Sequence, residues 1–230
     1  MFSNILKGFS HLFFPHNCLG CATDNLLNNE LLCAKCLHEL PETLFFNNAE
    51  NPVEKIFYGR LKIECAASGF YFTKNSLLQH LMIQLKYRGH KEAGEYLGKL
   101  IGYQIQNSLR FKDIDAIIPL PLNSKKEFIR GYNQAYLISQ GIEQIISKSI
   151  FKDAVERIQF TETQTHENRV NRWRNMEGVF KILDSSILEN KHILLVDDIV
   201  TTGATLEACG SEILKLSGTK LSIATVAYTL

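Results

Sequence analysis

Two sets of residues in this chain have the types and spacing for chemistry. The first is Asp197-Asp198, which ends an apolar run from His192 to Val196 and is followed by Thr201, Thr202, Gly203, Ala204 and Thr205. A carboxylate at the end of a buried strand is costly unless it has a partner. A glycine-containing turn that leads into a helix offers backbone N–H groups and the positive end of the helix dipole to a phosphate, and the threonine hydroxyls add donors. The two acids can accept hydrogen bonds from vicinal hydroxyls, as on a ribose, or face Mg²⁺. The plainer alternative is a strand-end acid pair that caps the following turn.

The second set is Cys18-x2-Cys21 and Cys33-x2-Cys36, two knuckles separated by eleven residues. Each knuckle can turn both thiolates onto one ion, so four sulfurs are available for tetrahedral Zn²⁺. Four protein ligands close the shell, which makes the zinc structural and the module dependent on it. Two disulfides in a secreted chain are the alternative. The opening MFSNILKGFSHLFFP fits a signal peptide poorly, because Lys7 and His11 interrupt it and no small-residue cleavage site follows. Cys65 and Cys209 stand apart, in strand and helix patterns, and read as small core residues.

These residues need elements to hold them, and 230 residues suffice for one α/β core with an appendage. The charge balance of 25 Lys+Arg against 24 Asp+Glu gives no general grip on nucleic acid, so any basic site is local. No run approaches a membrane span of about 20 residues, and the reading is a soluble, cytoplasmic protein without membrane insertion. The polar stretch from Asn47 to Pro52 marks a boundary between a leader and zinc module, 1–50, and a main domain, 51–230. In the main domain strands are expected at 62–72, within 113–121 closed by Pro119 and Pro121, and at 177–183, 192–196 and 220–228. Helices are expected at 77–85 after an Asn75 or Ser76 cap, at 92–106, at 133–147 and at 205–216. Alternating strands and helices imply a mostly parallel sheet flanked by helices, with ligands beyond the carboxyl ends of its strands.

"ILLVDDIVTTGAT" resembles the phosphoribosyl pyrophosphate (PRPP) loop of type I phosphoribosyltransferases. More of the chain resembles one branch, the ComF (competence protein F) family. The stretches "LKYRGH", "IIPLPLNSKKEFIRGYNQA" and "TETQTHENRVNRWRNMEGVF" and the four-cysteine leader stand in that family's order. The resemblance implies a type I phosphoribosyltransferase-like α/β fold with a small N-terminal zinc module, Mg²⁺ bound with PRPP, and a link to single-stranded DNA in natural transformation. It implies that Asp197 and Asp198 hold the ribose 2′ and 3′ hydroxyls and that Thr201, Thr202, Gly203, Ala204 and Thr205 wrap the 5′-phosphate. Arg130, with Lys125 and Lys126, would grip the diphosphate, which makes Asp197, Asp198 and Arg130 the candidate catalytic set. Lys86 and Arg88 are candidates for phosphate or second-substrate binding, or simply a basic helix end favoured by the dipole.

The same resemblance makes residues 161–175 a hood that closes over PRPP and excludes water, with Thr163, Gln164, Arg172 and Asn175 at its recurring positions. Thr165 and His166 depart from the pattern, where a more apolar stretch is usual. Arg169, Arg172 and Arg174 around Trp173 can also meet a single strand through phosphates and stacking. His192 opens a strand and reads as structural. Two functions follow from different classes. One is a PRPP-binding transferase with an unnamed acceptor; the other is a non-catalytic adaptor of the DNA-uptake machinery that binds single-stranded DNA or competence proteins. No P-loop, nucleophile-elbow or H-E-x-x-H motif occurs.

Overall fold

Strands buried on both faces read as continuous apolar runs, and three such runs form the centre of the fold. A computed structural model describes residues 17–26, 30–158 and 178–229. Its strands are β1 (Cys65–Phe72), β2 (Ala116–Pro119), β3 (Val155–Arg157), β4 (Phe180–Ile182), β5 (His192–Val200) and β6 (Lys220–Thr229). Its helices are α1 (Ala34–His38), α2 (Pro52–Phe57), α3 (Leu77–Tyr87), α4 (Lys91–Gln106), α5 (Ser124–Arg130), α6 (Gln134–Ile146) and α7 (Ala204–Ile213). The main sheet is all parallel, in the order β1-β6-β5-β2. Ile193, Leu194, Leu195, Leu221, Ile223 and Val226 at its centre are fully buried. Among the described residues no helix is long and apolar enough to cross a membrane.

The helices begin where local chemistry supplies caps. Ser76 accepts from Gln79 N at 3.1 Å while Gln79 Oε1 accepts from Asn75 N at 2.7 Å, which starts α3. Asn133 starts α6 by accepting from Ala135 N at 2.9 Å, and its Nδ2 donates to Leu120 O at 3.0 Å, tying the helix to the end of β2. Leu78, Leu81, Met82 and Leu85 form the buried stripe of α3.

Two parts differ from the sequence reading. The expected strand at 177–183 is the three-residue β4, which pairs antiparallel with β3 outside the main sheet. Its inner, outer and intermediate burial suits a half-exposed ribbon rather than a strand covered on both faces. The stretch after β2, read as a loop, contains α5. That helix has no buried residue and hence no apolar stripe to announce it. It exists through the Asn123 cap on Lys125 N at 3.1 Å and the left-handed Gly131 that ends it.

The segment before β1 is fastened to the sheet. Asn51 is buried, caps α2, and donates to Asn48 O at 2.9 Å and Ala66 O at 2.8 Å. Glu54 is buried beside it and pairs with Arg110.

The closest helix contact is between α4 and α6, where backbone meets backbone. A Cβ at Gly98 would lie 2.1 Å from the Ile138 carbonyl oxygen, and one at Gly141 would lie 2.1 Å from that of Glu95. Gly98→Ala must therefore push two helices apart. Urea titration is expected to show a loss of about 2–4 kcal/mol, in the range of core overpacking and backbone displacement.

Candidate functional site

Strand β5 outruns its neighbour. Pro119, the last residue of β2, pairs with Val196, and Leu120 N donates to Val196 O at 2.8 Å. Asp197 and Asp198 follow at once, still paired to β6 on the other side. The acids thus stand at the open carboxyl edge of the sheet, where ligands bind in this class of fold.

The pleat sends the two carboxylates to opposite faces. Asp198 shares the face of Val196 and Leu194 with α3, and Lys86 Nζ lies 2.7 Å from its Oδ2. Asp198 is 7 % exposed, so this cation offsets a charge that burial would otherwise penalise. Asp197 turns toward α7, and its Oδ1 accepts the Asp198 N–H at 2.7 Å. Burial, then the adjacent Asp198, push the Asp197 carboxyl well above the usual carboxylate range, with Lys86 and Arg157 pulling the other way.

After β5 the chain turns through exposed Thr201 and Thr202 to Gly203, whose φ of +72° is left-handed and which caps α7. A Cβ there would lie 2.6 Å from Ile56 Cγ2, so both its conformation and its contact with α2 require glycine. Ala204 and Thr205 form the first turn of α7. Arg60 reaches this turn, with NH1 donating to Thr202 O at 2.9 Å and the guanidinium paired with Glu207.

The end of α3 meets α5 across a cleft of about 380 Å³ lined by Lys86, Tyr87, Lys126, Ile129, Arg130 and Tyr132. The Arg130 guanidinium lies 5.7 Å from the Tyr87 ring centroid. The Tyr132 hydroxyl donates to Leu85 O, which locks α3 to the chain after α5. Lys86 and Arg130, far apart in sequence, are thus brought to one cleft beside Asp198. Arg88 stands exposed at the end of α3 and Lys125 on the outer face of α5; neither lines the cleft. Thr163, Gln164, Arg172 and Asn175 lie outside the described residues.

The four sulfurs of Cys18, Cys21, Cys33 and Cys36 lie within 4.8 Å of one another. A regular tetrahedron with Zn–S of about 2.3 Å has edges of roughly 3.8 Å, so the donor set fits a closed thiolate metal site. All four are free of disulfides. Against the burial that would raise it, the backbone N–H groups of Cys21, Cys33 and Gly20 hold the Cys18 thiol down to about 6. Burial and the neighbouring sulfurs push Cys36 up. The knuckle sits on α3: a Cβ at Gly20 would lie 2.8 Å from both Cys36 Sγ and Leu77 Cδ1, and Leu19 O lies 3.1 Å from His80 Nε2.

Comparison with known proteins fits this architecture. Residues 137–229, which include β5, the threonine turn and α7, match the phosphoribosyl transferase domain. Competence protein F of Haemophilus influenzae is 22% identical over 222 residues, spanning 92% of this chain and 96% of that protein. Over most of its length the chain is similar to competence protein F, and its C-terminal part to the phosphoribosyl transferase domain. It is also similar to DNA utilization protein YhgH of Escherichia coli K12, 26% identical over 156 residues that cover 66% of this chain and 68% of that one, and to competence protein ComFC of Bacillus subtilis, 25% identical over 140 residues that cover 59% and 52%.

Sequence reasoning did not find Arg60, Glu207 or Arg157 in this site. Arg60 and Arg157 are single cations in undistinguished surroundings, and only folding brings them near the turn and Asp197. Glu207 carried a signal, an acid in the first turn of a helix. Cys65 and Cys209 are buried with thiols raised by burial, Cys65 to about 11, as core residues should be. His192 is buried, lies 2.8 Å through Nε2 from Ser222 Oγ, and is lowered by burial, as a structural group.

The raised Asp197 carboxyl has a consequence for stability. Its favourable contribution is complete below the unfolded value of about 4 and is lost as pH rises through the higher folded value. Asp197→Asn is therefore expected to raise the melting temperature of the ligand-free protein near neutral pH, with the gap closing as pH falls toward about 5. Calorimetry on both proteins across that range checks it. For the cysteine cluster, metal analysis should give about one zinc per chain. Stripping it with a chelator is expected to lower the melting temperature of the whole chain, because the knuckle and α3 share a packed surface.

Proposed function

We propose that this chain is a Mg²⁺-dependent, PRPP-binding phosphoribosyltransferase-like protein that serves the handling of incoming DNA. The observation that carries the reading is the open end of β5. There Asp198, balanced by Lys86 at 2.7 Å, is followed within five residues by a left-handed glycine and a helix N-terminus. That edge offers carboxylate acceptors for ribose hydroxyls and N–H and hydroxyl donors for a 5′-phosphate, at adjoining places. Lys86 and Arg130 lie where a diphosphate leaving group would need cations.

In this assignment Asp197 and Asp198 hold the ribose, Thr201 to Thr205 hold the 5′-phosphate, and Arg130 with Lys86 takes the diphosphate. Asp197 and Asp198 would face Mg²⁺ bound with the ligand, which would supply positive charge for the diphosphate, with much of its shell from ligand and water. The chain's own contribution is positioning and charge stabilisation as C1 gains oxocarbenium character. Thr163, Gln164, Arg172 and Asn175 are assigned to a hood over the ligand on the family resemblance. Zn²⁺ in the four-cysteine cluster is assigned a structural role. The leader and zinc module, 1–50, and the transferase-like domain, 51–230, are the proposed division of the chain. The names of the relatives, competence protein F and DNA utilization protein, support a role in competence and DNA use; a cytoplasmic location and single-stranded DNA or competence proteins as partners belong to the same proposal.

Isothermal titration of PRPP with Mg²⁺ tests the reading. The wild type is expected to bind at micromolar concentration, and Asp197→Asn/Asp198→Asn to lose about tenfold or more, the cost of hydrogen bonds to charged groups. A folded, zinc-loaded wild type that gives no binding heat and no thermal shift would falsify the assignment.

A further inference from the structure

We infer that Arg60 is a positioning residue that presets the backbone of the Thr201–Thr205 turn for an anion, acting through the Thr202–Gly203 peptide and through Glu207. The inference rests on reading that turn as the phosphate cradle, and it adds a residue from a distant part of the chain to it.

Three contacts fix the Arg60 guanidinium. NH1 donates to Ile56 O at 3.0 Å and to Thr202 O at 2.9 Å, and NH2 meets the Glu207 carboxylate. The first anchors the side chain to its own turn, at the end of α2. The second joins that turn to the strand β5 exit, 142 residues later in sequence. The planar fork of arginine can make these contacts together, which a lysine ammonium on a flexible stem cannot do with the same rigidity.

The contact at Thr202 determines where the next amide points. A trans peptide is planar, and its C=O and N–H point in opposite directions. With the Thr202 carbonyl held toward Arg60 and α2, the Gly203 N–H is turned away from them. Thr201 and Thr202, just before it, are exposed, and Gly203 itself is buried. The Gly203 N–H has no hydrogen-bond partner among the described residues. Gly203 has the φ of +72° that this orientation needs, and Ile56 and Phe57 close the space behind it. One unpartnered donor of the turn is thus held in a fixed direction before any ligand arrives.

The contact at Glu207 addresses charge. Glu207 is in the first turn of α7, and its N–H already donates to Gly203 O at 2.8 Å. Its carboxylate stands at the end of the helix that favours anions, where it would repel a bound phosphate. Pairing with Arg60 removes that repulsion and leaves the N-terminal end of the helix available to a ligand. Arg60 therefore acts on the ligand through backbone geometry and through a neighbour's charge, without touching the ligand.

The test uses the full-length zinc-loaded protein labelled with ¹⁵N and titrated with inorganic phosphate and, separately, with ribose 5-phosphate. In the wild type the Gly203 and Ala204 amide signals are expected to shift and saturate. In Arg60→Met both ligands should bind about ten- to hundredfold more weakly, the scale of a small misplacement of binding groups. Affinity for inorganic diphosphate with Mg²⁺, which meets Lys86 and Arg130, should stay at the wild-type value. Arg60→Lys should fall between the two. Glu207→Gln keeps the Arg60 charge and loosens its orientation, so a several-fold loss there separates geometry from charge and serves if Arg60→Met does not fold. Wild-type affinities in Arg60→Met and Glu207→Gln, or a wild-type Gly203 amide unmoved at saturating phosphate, overturn the inference. A wild type that moves Gly203 with phosphate but fails to bind PRPP overturns the ribosyl transfer reading and leaves the clamp standing.

Discussion

Two neighbouring carboxylates at the end of a buried strand need compensation, and the rest of the site is arranged around how it is supplied. At an effective dielectric of about 20, opposite charges about 4 Å apart attract by roughly 4 kcal/mol, much of which desolvation consumes. One ammonium can therefore settle one of the acids, and Lys86 settles Asp198. Among the described residues Asp197 has no ion pair, and its ionisation is discouraged by burial and by Asp198. The asymmetry follows from the pleat: adjacent residues of a strand cannot share one cation on one face. A site with one satisfied and one unsatisfied acid retains capacity for further donors.

The constraint extends backward into packing. Lys86 reaches Asp198 only because α3 ends over the carboxyl edge of β5, and α3 ends there because Tyr132 holds Leu85 and because α4 and α6 approach without side chains between them at Gly98 and Gly141. Close approach of those two helices sets the position of the α6 N-terminus, where Asn133 ties back to Leu120. The glycines of this contact thus help determine the width of a cleft that they do not line.

Much of this was legible before folding, for physical reasons that differ by element. Strands β5 and β6 announce themselves because burial on both faces leaves them mostly apolar, with a few small polar residues such as Ser222 and Thr225, and α3, α4 and α6 because each carries one apolar stripe. The cysteine knuckles and the Asp-Asp-x-x-Thr-Thr-Gly-Ala-Thr stretch are local, so spacing alone exposes their chemistry. What stayed hidden is non-local or unpatterned. Helix α5 buries nothing and has no period to read. Strand β3 is three residues of mixed character whose partner follows more than twenty positions later. Arg60 gains its role from a carbonyl 142 residues away. The divergence of Asp197 and Asp198 was implicit in calling the run a strand, since the pleat decides it, yet it needed the observed end of β2 to show that both lie beyond the neighbouring strand.

Helix α3 has 11 residues, which is about 16 Å of rise. Its first turn supports the cysteine knuckle through Leu77 and His80, and its last turn presents Lys86 to Asp198. A rod of that length has no internal joint, so its two ends are not independent addresses. Metal at one end and anion at the other draw on the same rigid body, and linkage makes any such influence reciprocal: whatever metal occupancy contributes to anion affinity, anion binding returns to metal retention in equal measure.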